Sequence, residues 1–211
     1  MVSKNQIKLI TSLQQKKYRK QEQLFFAEGV KVVQELLHSN FELQDLFTTK
    51  QDFLTVSKDK VHAISEAELK KISALTTPNT CLAVFKMPKS KDFVEKGLIV
   101  ALDDVRDPGN LGTIIRLCDW FGIETLFCSE ESVDIYNPKV VQATMGSISR
   151  VNVVYGNLEA FLTKTKLPVF GTFMDGKNIY QEKLPKEGII IMGNEANGIS
   201  SSVEKLVSER I

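Results

Sequence analysis

The sequence predicts an α/β fold in two parts, a small mixed module over residues 1–88 and a parallel-sheet domain over residues 97–211, joined by a linker over residues 89–96. Beyond residue 97, apolar runs without polar alternation are separated by stretches of helical period, as in a parallel sheet buried on both faces. Before residue 88 the apolar pieces are shorter and mixed in type. Between the two lies "PKSKDFVEKG", rich in charge and bracketed by Pro88 and Gly97.

In the first part, "IKLITSLQQ" spaces Ile7, Ile10 and Leu13 at helical intervals. "FFAEG" reads as a short strand closed by a glycine turn, and "GVKVVQELLHSN" as a helix with Val32, Val33, Leu36 and Leu37 on its apolar side. "LQDLFTT" and "CLAVFKM" read as strands, with "SEAELKKISAL" a helix between them. In the second part "LIVALDDV" is a strand, "LGTIIRLCDWF" a helix, "TLFCS" a strand, "NPKVVQATMGSI" a helix and "VNVVY" a strand. "LEAFLTKTK" follows as a helix, then "PVFGTFM" and "GIIIMG" as strands, then "GISSSVEKLVSE".

Composition sets limits on function. A chain of 211 residues with 43% hydrophobic content supports a sizeable core. Its longest apolar runs fall far short of the roughly 20 residues a membrane span needs, and its first residues are polar and basic, so a cytoplasmic setting without membrane contact is expected. Cys81, Cys118 and Cys128 are scattered and His38 and His62 lack ligand-like companions, so neither a disulfide nor a metal site is expected. The net charge of +1 hides an asymmetry: residues 1–90 hold 14 Lys and Arg against 9 Asp and Glu, and the remainder 13 against 17. Residues 1–21 contain Lys4, Lys8, Lys16, Lys17, Arg19 and Lys20 and no acid, which suits either a solvated helix face or contact with a phosphate backbone.

Ligands of an open parallel sheet bind at the carboxyl ends of its strands. Three loops expected there are unusual: "DDVRDPGN", "FMDGKN" and "MGNEANG". In the first, Asn110 or Asp107 suits a helix N-cap, and Leu111, Ile114, Ile115 and Cys118 form the core face. Arg116 lies off that face, about one turn beyond Gly112, whose missing side chain would leave a bare patch near a helix start that favours anions. The plainer reading pairs Arg116 with Asp119 or Glu124 at the surface. In the third loop, Gly193, Asn194, Glu195 and Gly198 follow "IIIM" directly, and glycine there lets a ligand approach the backbone. Neither Gly-x-Gly-x-x-Gly nor Gly-x-x-x-x-Gly-Lys-Ser/Thr is present.

Together, Asn110-x-Gly112-x-x-x-Arg116 and "IMGNEANGI" about eighty residues later resemble the first and second motifs of the SpoU (TrmH-like) branch of the SPOUT RNA methyltransferases. "SLQQKKYRKQEQLFFAEG" is similar to the start of the substrate-binding domain that precedes the catalytic domain in ribosomal RNA 2'-O-ribose methyltransferases of that branch. The resemblance implies a trefoil-knotted α/β catalytic domain behind a small L30e-like α/β domain. It implies a homodimer that moves a methyl group from S-adenosylmethionine to a ribose 2'-hydroxyl, in ribosomal RNA rather than transfer RNA. By matching position, Arg116 is the family's catalytic arginine, with Asn110 and Glu195 as its motif companions. Thr172, Gly193, Asn194 and Gly198 fall at the cofactor loops, and Lys16, Lys17, Arg19, Lys20 and Arg150 are the expected RNA contacts.

In the family a third motif, a Ser-Leu-Asn-Val-type loop and helix, threads the knot, closes the cofactor pocket and supplies much of the dimer interface. It would lie beyond Ile211, and the chain is expected to stop short of it, because Ile211 looks like the start of another buried strand. The alternative function is a non-catalytic RNA-binding protein of the same fold that has lost cofactor binding.

Overall fold

A computed structural model describes residues 1–50, 56–89, 93–183 and 185–211, so part of the linker, residues 90–92, lies outside the described residues. Contacts divide the chain into two compact units, Met1–Lys89 with Asp134–Ser149, and Ser90–Val133 with Arg150–Ile211.

In the first unit, helix α1 (Lys4–Ser12) starts at a capping box in which Ser3 and Gln6 each bond the other's backbone N–H. A second helix, α2 (Lys16–Glu22), is absent from the sequence reading because "KKYRKQE" has no apolar stripe. Strand β1 (Leu24–Glu28), helix α3 (Val30–Leu37), strands β2 (Leu43–Thr48) and β3 (Val61–Ala63), helix α4 (Glu66–Ile72) and strand β4 (Cys81–Lys86) follow. Of these only the three-residue β3 was not expected; it is too short to show a period. The sheet order is β1-β4-β2-β3, antiparallel except for β2 with β3. Ile10 and Leu13 pack with Leu24, Phe26, Leu69 and Ile72 in one core cluster. Phe25, pointing the other way along β1, meets Phe41, Phe85 and Tyr136.

The second unit opens with strand β5 (Leu98–Leu102), helix α5 (Pro108–Trp120) and strand β6 (Thr125–Ser129). The next helix, α6 (Pro138–Thr144), read in sequence as one more layer of the parallel-sheet alternation, packs on β1 and belongs to the first unit. Strand β7 (Asn152–Gly156), helix α7 (Leu158–Lys164), strands β8 (Val169–Gly171) and β9 (Gly188–Met192), helix α8 (Ser201–Glu204) and strand β10 (Glu209–Arg210) complete the unit. The strand expected to begin at Ile211 is thus formed by the two residues before it, paired with β8.

The six strands run in the order β10-β8-β9-β5-β6-β7, and every pair is parallel. From β5 the chain builds outward to β7, then crosses to the other side of β5 to build β8 and β9, so the direction of winding reverses between β5 and β9. Such a reversal opens a crevice at the carboxyl ends of the two strands. The loops expected to share one edge do so, because they leave the neighbouring strands β8, β9 and β5. Among the described residues no helix is long and apolar enough to cross a membrane.

Candidate active site

The crevice is built by the exit from β5. Asp103 is 7% exposed; its N–H donates to the Met192 carbonyl at 2.9 Å and its carboxylate accepts the Ser200 N–H at 2.7 Å. Asp104 turns the chain at a φ of 56°, uncommon for a residue with a side chain. That turn is held by a bond from its N–H to Ser129 Oγ (2.9 Å) and by Asn194 Nδ2, which donates to its carbonyl (2.7 Å). Asp107 is the N-cap of α5, its carboxylate accepting the Asn110 N–H at 2.8 Å, and Pro108 occupies the first turn, where no N–H is needed.

Asn110 is therefore free for another partner, and its Nδ2 donates to Glu195 Oε1 at 3.1 Å. The same oxygen accepts the Asp107 N–H at 3.2 Å, while Oε2 receives the Arg106 N–H at 3.5 Å. Burial opposes ionisation of Glu195, but the bonds from Asn110, from its own N–H and from Asp107 and Arg106 outweigh it and hold its pKa below the ordinary value. Two motifs 85 positions apart are thus clasped through one carboxylate. The helix start, expected to be open to an outside anion, is occupied by the protein's own Asp107 and Glu195.

The second motif is a closed turn. Asn194 and Gly198 exchange backbone N–H···O bonds of 2.9 Å each way, and Asn194 Oδ1 accepts the N–H groups of Ala196 and Asn197 at 3.0 and 3.1 Å. Both ends of the Asn194 amide, and both of its backbone groups, are thus bonded within the protein. Gly193 is required sterically: a Cβ there would stand 2.2 Å from the carbonyl carbon of Gly198. Gly198 takes a φ of +68°. On the neighbouring strand end, exposed Thr172 donates through both N–H (3.1 Å) and Oγ1 (3.0 Å) to the Ile191 carbonyl. Beyond it Phe173 lies under the guanidinium of Arg210, 3.6 Å from its ring centre, and Arg210 also pairs with Asp175 at 2.6 Å.

Arg116 projects from α5 into solvent, and among the described residues it makes no ion pair or hydrogen bond. Its plainer partner Asp119 is taken by Arg150, whose Nε donates to both carboxylate oxygens at 3.1 and 2.9 Å. Gly112 is itself buried, so the bare patch expected beside Arg116 is not open. In the first unit Lys16, Lys17 and Lys20 are exposed. Arg19 is not: it is 2% exposed and donates to Asp134 (2.6 Å) and to the carbonyls of Leu13 and Gln14 (both 2.9 Å), so the expected RNA contact is a buried structural arginine. Sequence reading also passed over Asp103, Asp104 and Ser200; the paired aspartates at a strand end were the available signal. Cys81, Cys118 and Cys128 are buried and in no disulfide, and among the described residues no cluster of three His, Cys, Asp or Glu side chains is placed to hold a metal.

Residues 97–211 match the SpoU rRNA Methylase family and residues 4–83 match the MRM3-like substrate binding domain. The chain is 28% identical to the 23S rRNA (guanosine(2553)-2'-O)-methyltransferase RlmP of Bacillus subtilis, over 95% of this chain and 84% of that protein. It is 29% identical to the mitochondrial rRNA methyltransferase 3 of Xenopus laevis, over 70% of this chain but only 38% of that longer protein. A structure from Porphyromonas gingivalis, assigned to the TrmH family of RNA methyltransferases, superposes with a TM-score of 0.89 at 39% identity, covering 100% of this chain and 88% of that one. The AdoMet-bound rRNA methyltransferase of Sinorhizobium meliloti superposes at 0.85 with 28% identity, over 100% and 86%. The two motifs that meet at Glu195 lie inside a match spanning more than half of the sequence, and the chain belongs to the SpoU rRNA Methylase family.

Proposed function

We propose that this protein transfers a methyl group from S-adenosylmethionine to a ribose 2'-hydroxyl of ribosomal RNA. The observation that carries the reading is the Glu195 clasp, which fixes the first motif against the second at adjacent strand ends, on a helix whose Arg116 has no ion pair or hydrogen bond among the described residues. Relatives named as rRNA 2'-O-methyltransferases, and a structural neighbour solved with AdoMet, support it.

The residues at the crevice fit that cofactor. The turn from Gly193 to Gly198 closes on backbone bonds with residues 195–198 exposed, while Phe173, Leu206 and Val207 are half-buried hydrophobics packed against the core cluster that contains Ile199. Peptide groups beside an apolar wall suit a flat adenine. In this reading the main chain at Gly193, Asn194 and Gly198 holds the cofactor, with Thr172 on the neighbouring strand end. When bound, S-adenosylmethionine supplies a methyl group already activated by its sulfonium sulfur.

The protein's own task is to hold a ribose oxygen in line and to ease departure of its proton. An arginine, with a pKa above about 12, is a poor base near neutral pH. Arg116 instead orients the phosphate and ribose by its planar fork of donors and stabilises the developing alkoxide. Asn110 and Glu195 are positioning residues, since they set the start of the helix that carries Arg116. Arg150 contributes positive charge toward RNA from its pair with Asp119.

The reading includes a homodimer in a cytoplasmic setting. Leu117, Trp120 and Phe121, on the solvent side of α5, are 46%, 84% and 71% exposed, an apolar strip that a second copy would cover. The decisive experiment is transfer of tritiated methyl to ribosomal RNA by wild type and Arg116→Lys. The variant should lose about 100-fold in kcat, the scale of one transition-state donor, while calorimetry finds cofactor affinity unchanged. Near-normal turnover by Arg116→Lys would refute the role given to it.

A further inference from the structure

In the first unit α1 and α2 enclose an open groove of about 770 Å³, within the roughly 300–1,000 Å³ of small-ligand sites. Its lining includes Asn5, Lys8, Gln15, Tyr18, Gln21 and Glu22. Amide side chains donate and accept at once, as the edge of a nucleobase requires. Tyr18 supplies a half-buried ring, and Lys17 Nζ lies over one face of it, 5.7 Å from the ring centre, where a stacking base would have to share or displace it. Glu22, the carboxylate of the lining, accepts from Gln21 Nε2 at 3.2 Å.

Charge around this groove is mainly positive, with Glu22 the one acid among its lining residues. Lys8, Lys16, Lys17 and Lys20 are exposed, and among the described residues none of them is in an ion pair, whereas Lys86 of the same unit is held by Glu42 at 2.6 Å. The walls are also fixed in advance. The buried guanidinium of Arg19 on α2 donates to the carbonyls of Leu13 and Gln14, where α1 ends, and so sets the turn between the two helices. A rigid, amide-lined slot with an aromatic wall and free ammonium groups has the chemistry of a site for unpaired RNA, in which a base stacks on the ring and lysines meet the backbone. Duplex RNA, whose bases are stacked on one another, presents no face to Tyr18.

We infer that the α1–α2 groove is a single-stranded RNA site in which a nucleobase stacks on Tyr18, its edge meets Gln15, Gln21 or Asn5, and Lys8 and Lys17 hold the flanking phosphates. The inference rests on the reading of this protein as an RNA methyltransferase, and what it adds is the place and mode of the contact within the region that matches a substrate binding domain.

The test is fluorescence anisotropy of the full chain with a short labelled oligouridine, in the absence of S-adenosylmethionine. Tyr18→Ala should bind about tenfold more weakly and Tyr18→Phe should bind as wild type does, as expected for one base stack. Lys8→Ala, at an exposed position, should lower the slope of log affinity against log salt by about 0.7. An unlabelled duplex of equal length should compete poorly. Equal binding by Tyr18→Ala, equal competition by duplex, or no binding by wild type would each overturn the groove. Because tritiated-methyl transfer by the wild type is measured separately, failure of the groove and failure of the methyltransferase reading are told apart.

Discussion

Replacing Arg19 should be the most damaging single change among the basic residues of α2. Its side chain is 2% exposed and its partner Asp134 14%, and Nε and Nη2 donate to the same Asp134 oxygen at 3.1 and 2.6 Å. Nη1 donates to Leu13 and Gln14 carbonyls at 2.9 Å each. Arg19→Ala removes four hydrogen bonds and leaves a largely buried carboxylate without its counter-ion. Breaking a buried pair from one side costs about 3–5 kcal/mol, against about 0–1 kcal/mol for an exposed pair. Total stabilities are about 5–15 kcal/mol, so the loss is a large fraction of what holds this unit folded. With a denaturant slope of about 2 kcal/mol/M, the urea midpoint of the first unit should fall by about 2 M, read by circular dichroism. Arg19→Lys should recover only part, since an ammonium cannot reach the carboxylate and two carbonyls with one planar fork. Arg19→Met combined with Asp134→Leu should recover most, because no charge is then left alone. A loss below about 1 kcal/mol for Arg19→Ala would mean that the pair behaves as a surface pair and that the reasoning is wrong.

Gly193→Ala places a methyl group 2.2 Å from backbone of Gly198, which no rotamer change relieves, so the turn must open; calorimetry should find cofactor affinity lost while far-UV circular dichroism is unchanged, and retained affinity would count against a backbone-built site. The Glu195 clasp should be acid-resistant: its folded pKa is lowered, so its contribution is present above the unfolded value of about 4.3 and disappears only as pH falls through the lower folded value. Protection factors of the 193–198 amides should therefore hold at pH of about 5 and collapse only below the ordinary glutamate range, whereas a collapse near pH 6 would implicate a different group. Burial pushes the Cys118 thiol up to about 11 and raises that of Cys128 further, and Cys81 is buried too. A thiol reagent near neutral pH should label none of the three until the chain unfolds, and fast native labelling would contradict their placement.

The parallel sheet was legible because β5, β6 and β9 are continuous apolar runs, and a strand buried on both faces can be little else. Helix α2 was not, because its stability comes from one buried guanidinium rather than from an apolar stripe, and the acid that makes that burial tolerable lies 115 positions away. Counting charges placed Arg19 with Lys16, Lys17 and Lys20; only the fold separates a paired arginine from three solvated lysines. The assignment of α6 was equally hidden, since Val140 and Val141 fit an alternating α/β pattern whichever surface they bury against. Of the site, the residue types of both motifs were legible and their bonding was not. Nothing local to "DPGN" says that Asp107 rather than Asn110 caps the helix, and that choice is what frees Asn110 for Glu195.

That division of labour changes how anion recognition at this crevice has to work. The N–H groups at the start of a helix attract any nearby negative charge. Here Asp107 takes the Asn110 N–H of the first turn, and Glu195 takes the N–H groups of Arg106 and Asp107 just before it, so two carboxylates of the protein already stand at the helix start. An RNA phosphate arriving there would meet two carboxylates. In the proposed function the attraction comes from further along the same helix, where Arg116 is the cation of α5, since Arg106 of the preceding loop is already paired to Asp104 at 2.7 Å. In the proposed function the clasp and this arginine belong to one design: strand order brings β9 beside β5, Glu195 closes the helix start, and the guanidinium about two turns on has no ion pair or hydrogen bond among the described residues.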